Sequence, residues 1–238
     1  MRSILITGAS SGIGRATAEV FLDAGWRVGL VARRRELLEE VASGRDHAEV
    51  LPADVTDADA MQAAFDRFGH IDVLFNNAGI FGPAAPIDEV ALEDWAQVLG
   101  TNLNGMFIVA RLAFAAMRAQ GGGRIINNGP LSAHVPRPNS VCYTTTKHAI
   151  TGLTKSLSLD GRDLNIACGQ IDIGNARSEL VEELNARALE ANPGADLQPM
   201  MEVEEAARSV LHMAEMPPEA NVQFMTVMAT KMPYIGRG

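Results

Sequence analysis

Thr7-Gly8-Ala9-Ser10-Ser11-Gly12-Ile13-Gly14 lies between a β-branched run, Ile4-Leu5-Ile6, and a helical pattern in which Ile13, Ala16, Val20, Phe21 and Ala24 share one face. A glycine-rich turn leading from a strand into a helix lets backbone approach a pyrophosphate. The helix N-terminus then favours the negative charge. Glycine is also the default turn residue, so the placement carries the reading rather than the number of glycines. Gly8, Ser10, Ser11, Gly12, Ile13 and Gly14 are the expected contacts on the phosphate side of a bound dinucleotide.

The alternation continues outward from this turn. Strands are expected at Val28 to Val31, Glu49 to Leu51, Ile71 to Phe75, Arg124 to Ile126, Asn165 to Cys168 and Val222 to Val227. Helices are expected around Met61 to Phe68, Leu103 to Met117, Thr144 to Leu159 and Glu202 to Ala214. Continuous apolar strands alternating with helices imply an α/β fold: a Rossmann-type doubly wound sheet of about seven parallel strands, with helices on both faces. No repeat or linker divides the chain, so residues 1–238 are expected to form one dinucleotide-binding and catalytic domain. The polar stretch at about 176–201 breaks the rhythm. It reads as an insertion covering the substrate at the sheet edge.

Composition narrows the partners. Lys and Arg number 20 against 29 Asp and Glu, for a net charge of −9. That argues against nucleic acid and anionic membranes, which need a positive field. Cys142 and Cys168 make neither a disulfide framework nor, by themselves, a thiolate metal site, so no metal is expected. They read as reduced thiols in a cytoplasmic protein. No signal-peptide pattern is visible, and no stretch approaches the roughly 18 consecutive apolar residues of a membrane span.

The glycine spacing, G-x3-G-x-G, resembles that of the short-chain dehydrogenase/reductase family, whose motif is TGxxxGxG. Asn76-Asn77-Ala78-Gly79 is similar to the family's NNAG segment, Asn102 to its helix asparagine, and Tyr143-Thr144-Thr145-Thr146-Lys147 to its YxxxK. The resemblance implies that Asp54 and Val55 flank the adenine. It implies that Asn76, Ala78 and Gly79 line the cofactor side of a cleft. It also implies that Asn102 bends its helix and holds a water linking Lys147 to solvent.

The cofactor reading rests on the end of the second strand, where an acidic residue binds the 2′-hydroxyl of NAD and an arginine accommodates the 2′-phosphate of NADP. Ala32 stands where NAD-preferring relatives carry Asp, and Arg33-Arg34-Arg35 follow. No carboxylate repels a phosphate there, and a guanidinium fork can grip it. NADP(H) is the expected cofactor, with Arg33 as the phosphate contact. Arg34 also belongs to the candidate cofactor residues, although it and Arg35 fit a solvated helix start equally well.

Tyr143 and Lys147 are spaced to project from one helix face. An ammonium beside a phenol favours the phenolate. The pair can then move a proton to or from a carbonyl oxygen while hydride passes to or from the nicotinamide. The resemblance adds that Lys147 holds the nicotinamide ribose. The family's serine, thirteen residues before the tyrosine, is replaced by Pro130, which has no hydroxyl. Ser132, two residues on, is the candidate donor; the alternative is a turn serine lining the cleft.

The family's Pro-Gly and Thr after the sixth strand are replaced by Cys168-Gly169-Gln170-Ile171-Asp172-Ile173-Gly174-Asn175, a variant GQIDIGNA subgroup. Gly169 is expected to supply a turn. Backbone at Ile171 and Ile173, and the Asn175 amide, are expected to serve the nicotinamide carboxamide. Asp172 reads as a structural carboxylate, with substrate contact as the alternative. The function expected is an NADP(H)-dependent oxidoreductase interconverting a carbonyl and a secondary alcohol on a small-molecule substrate. The resemblance implies a homodimer or homotetramer. A catalytically impaired nucleotide-binding sensor or scaffold is the alternative that Pro130 raises.

Overall fold

A computed structural model describes residues 1–131, 136, 138–178, 181–182, 185–186, 189–190, 192–194, 197 and 199–234. Seven strands, β1 (Ser3–Thr7), β2 (Arg27–Ala32), β3 (Ala48–Pro52), β4 (Val73–Asn76), β5 (Gly123–Pro130), β6 (Ile166–Ile173) and β7 (Phe224–Val227), form one sheet in the order β3-β2-β1-β4-β5-β6-β7. Every neighbouring pair is parallel. The chain order reverses between β1 and β4, the switch point at whose carboxyl ends open α/β sheets bind ligands.

Side-chain alternation explains why both faces are covered. Ile4, Ile6, Val28, Leu30, Val73 and Phe75 pack into one core layer, against α1 (Gly12–Asp23), α2 (Arg35–Ala42) and α7 (Val203–Glu215). Their chain neighbours Leu5, Val31 and Leu74 pack into the other, against α3 (Ala58–Phe68) and α5 (Met106–Gln120). The long helix α6 (Val141–Gly161) covers β5 and β6 on this second face, where Asn127 donates to Thr154.

Several boundaries differ from the sequence expectation. β5 and β6 each continue past the expected apolar runs. Their pairing persists from Gly123↔Ile166 through Pro130↔Ile173 because the polar side chains are satisfied from α6. The expected helix Leu103 to Met117 is part of a longer run. α4 (Leu92–Leu99) passes through a π-helical segment, Gly100–Gly105, into α5. This combined run, Leu92–Gln120, is long and apolar enough by length and composition to cross a membrane, although Glu93, Asp94, Arg111 and Arg118 keep it short of 18 consecutive apolar residues. It serves as a core helix: Val98, Met106, Val109, Ala110, Leu112, Ala113 and Met117 are all buried against the sheet or its loops.

Candidate active site

The carboxyl ends of β1 and β4 are stitched together before any ligand is considered. Thr7 Oγ1 accepts from the backbone N–H of Asn77 at 2.9 Å and of Ala78 at 3.0 Å. Asn77 Nδ2 donates to the Thr7 carbonyl at 2.9 Å, and Asn77 Oδ1 accepts from Asn128 Nδ2 at 2.7 Å. Two glycines make this packing possible. Gly8 has φ +71°, and a Cβ there would press on Asn77 Nδ2 and the Ala78 backbone; a Cβ on Gly14 would overlap the Gly8 carbonyl. The N-terminus of α1 therefore sits directly over the strand ends, with Ser11 as its N-cap residue.

A cavity of about 570 Å³ opens here, within the size range of ligand sites. At one end it is lined by Gly8, Ser10, Ser11, Gly12, Ile13 and Gly14, with Arg33, Arg34, Asp54 and Val55 beyond them. Arg34 Nη2 donates to Ser10 Oγ at 3.5 Å, while the exposed Arg33 lies 3.9 Å from Asp54 Oδ2. Partial burial works against the charge of Asp54. Its two bonds from Thr56 and the Arg33 guanidinium still hold its carboxyl below the usual range. At the other end the lining includes Ala78, Gly79, Phe81, Tyr143, Lys147, Ile173 and Asn175. Ser178, Val181 and Asn185, from the expected covering segment, close the top. The ends of that segment meet where Met201 N donates to the Asn175 carbonyl and Arg177 N to the Met201 carbonyl.

Tyr143 and Lys147 face this cavity together. The Tyr143 ring packs on Phe81 with centroids 4.7 Å apart, and Lys147 Nζ lies 5.6 Å from the Tyr143 ring centroid. Lys147 is only 2% exposed and donates to the Asn128 carbonyl at 3.1 Å. Burial pulls its pKa from 10.5 to about 8, against the opposing charge of Asp172. Asn102 sits in the π-helical segment, fully buried. It holds both backbone groups of Ile80 and donates to Thr146 Oγ1 at 3.3 Å. A Cβ on Gly79 would lie 3.2 Å from Asn102 Oδ1 and 3.6 Å from Lys147 Nζ, so the three residues converge at one point.

Three expected cofactor residues lie behind the cavity wall. Asn76 is buried, donating to the Met106 carbonyl at 2.8 Å and to Asn127 Oδ1 at 3.3 Å, which ties β4 to α5 and β5. Gly169 is in the middle of β6, not a turn; a Cβ there would overlap the Val222 carbonyl. Ile171 is fully buried in the core on the α1 and α7 side. Ser132 lies outside the described residues. Asn77, Phe81, Gln97 and Asn128 also line the cavity, beyond the residues expected from the sequence. For Asn77 and Asn128 a signal was present, since each is a polar residue at the carboxyl end of a parallel strand.

The family model described as short chain dehydrogenase matches residues 2–189. A sulfoacetaldehyde reductase of Chromohalobacter salexigens is 32% identical over 96% of this chain and 94% of its own. A serine 3-dehydrogenase of Agrobacterium fabrum is 30% identical over 98% of this chain and 96% of its own. Among solved structures, a variant actinorhodin polyketide ketoreductase with NADPH superposes with a TM-score of 0.88 at 26% identity, covering 98% of both chains.

Proposed function

The chain belongs to the short-chain dehydrogenase family of oxidoreductases, and from that premise we propose that it uses NADP(H) to interconvert a carbonyl and a secondary alcohol, with Tyr143 as the acid/base. One observation carries the reading. Tyr143 and Lys147, one helical turn apart, open on the same cavity as the glycine turn Gly8 to Gly14.

The cavity suits a dinucleotide. The α1 N-terminus and the cavity-lining turn from Gly8 to Gly14 offer backbone to a pyrophosphate. Arg33, Arg34, Asp54 and Val55 line the far end of the cavity, which supports a reading in which the arginines take the 2′-phosphate and Asp54 and Val55 the adenine. When bound, the nicotinamide supplies or accepts the hydride. Tyr143 gives its hydroxyl proton to the substrate oxygen during reduction and takes one back during oxidation. Lys147 favours the phenolate by its charge and holds the ribose. Asn102 fixes the Ile80 backbone beside them. Ser132 is the donor to the substrate oxygen in place of the hydroxyl that Pro130 lacks. Ile173 and Asn175, which line the same cavity, are the proposed partners of the carboxamide. The assembly proposed is a homodimer or homotetramer.

The test is NADPH oxidation against a panel of ketones and aldehydes. Wild type should turn over at least one. Tyr143→Phe should lose about 10²–10⁴ in kcat while retaining NADPH binding. Full turnover by Tyr143→Phe would remove Tyr143 from the mechanism.

A further inference from the structure

Beneath the cleft, β6 carries polar side chains in the sheet interior. Gln170 is fully buried and Asp172 is 1% exposed. As alternate residues with Cys168, they point to the face that α6 covers. Gln170 Nε2 donates to Asp172 Oδ1 at 2.6 Å and to Thr151 Oγ1 at 3.2 Å, and its Oε1 accepts from Thr154 Oγ1 at 3.2 Å. Lys147, Thr151 and Thr154 share one face of α6 by their i, i+4, i+7 spacing. Gly129 is the ladder partner of Asp172, and a Cβ there would overlap Asp172 Oδ1. The carboxylate thus fills the side-chain space that Gly129 leaves. That space is one residue from the carbonyl of Asn128, to which Lys147 Nζ donates.

We propose that Asp172 is a positioning residue, the buried counter-charge of Lys147, with Gln170 holding its carboxylate and Gly129 making room for it. The inference rests on the Tyr143–Lys147 reading above. A buried ammonium is strongly disfavoured without such a partner. Burial brings Lys147 down to about 8, and Asp172 is the charge that resists a further fall. Among the described residues, the titratable groups facing Lys147 are Tyr143 on its own helix and Asp172 on β6. The other elements around it present Gly79, Asn102 and the Asn128 carbonyl, none of which titrates.

Asp172→Asn removes the charge but keeps an oxygen for Gln170. In cofactor-free protein with ¹³C-labelled lysines, the NMR titration midpoint of Lys147 should fall by about one pH unit, a tenfold change in its proton affinity. In carbonyl reduction, kcat should fall about fivefold at pH 8 and less than twofold at pH 6. Gln170→Met, which keeps Asp172 but frees it, should move the midpoint the same way by less. An unmoved Lys147 midpoint in Asp172→Asn overturns the inference; if that variant does not fold, an unmoved midpoint in Gln170→Met does so. Lys147→Met separates the two readings. Full turnover in that variant sinks the role of Lys147 itself. Its inactivity, beside an Asp172→Asn enzyme that loses rate equally at every pH, sinks only the role of Asp172.

Discussion

Asn102 clamps Ile80 from both sides: its Oδ1 accepts the Ile80 N–H and its Nδ2 donates to the Ile80 carbonyl, each at 2.8 Å. A π-helical turn between α4 and α5 aims the amide at this loop, so one side chain supports the backbone opposite Lys147. Asn102→Ala leaves two backbone groups of Ile80 without these partners. We expect a loss of about 2–4 kcal/mol in unfolding free energy, measured by urea denaturation. Hydrogen exchange at the Ile80 amide should quicken in the same variant. An unchanged Ile80 exchange rate would show that the clamp contributes nothing.

Lys147 gives the protein a pH signature of its own. Its folded pKa is near 8, below its ordinary 10.5. Between these values the unfolded chain binds the proton that the folded one has released, so unfolding free energy rises with pH. The slope is at most about 1.4 kcal/mol per pH unit. Below pH 8 the cost of burying the charge is fully present. Denaturation of cofactor-free wild type and Lys147→Met at pH 8, 9 and 10 should show this slope in wild type and lose it in the variant. Parallel curves would contradict it.

The strength of each signal in the sequence follows from its physics. The turn Gly8 to Gly14 was legible because its place between a strand and a helix leaves few alternatives. The end of β6 was not, because Gln170 and Asp172 break the apolar run that marks a buried strand. Only the partners Thr151 and Thr154, distant in sequence, make those polar groups affordable there. Gly169 read as a turn for the same reason, whereas its missing side chain lets the Val222 carbonyl approach. Asn76 and Asn77 are adjacent and alike, and strand alternation sends one behind the wall and the other into it.

Pro130 has no hydroxyl to offer a substrate oxygen, and Ser132 is the proposed replacement. Ser132→Ala should then lower kcat by about 10²–10³ with little change in NADPH binding, as for other lost oxyanion donors. Pro130→Ser, combined with Ser132→Ala, should recover part of that loss. If Ser132→Ala alone leaves the rate unchanged, the donor is another group.

On the proposed reading, cofactor choice turns on one exposed guanidinium. Arg33 stands at the end of β2, 3.9 Å from Asp54, and next to Ala32, whose methyl offers no charge to repel a phosphate. A charge-assisted bond to a 2′-phosphate is worth about 1.5–3 kcal/mol, so Arg33→Ala should weaken NADPH binding about 10–100-fold. NADH, which lacks that phosphate, should bind within about twofold of wild type, because its ribose loses no ionic partner. Ala32→Asp in the Arg33→Ala background should reverse the preference by placing a carboxylate against the ribose hydroxyls. Fluorescence titration of both cofactors against the three proteins measures this. Equal affinity of the wild type for NADH and NADPH, unmoved by Arg33→Ala, would show that the guanidinium faces solvent and selects nothing.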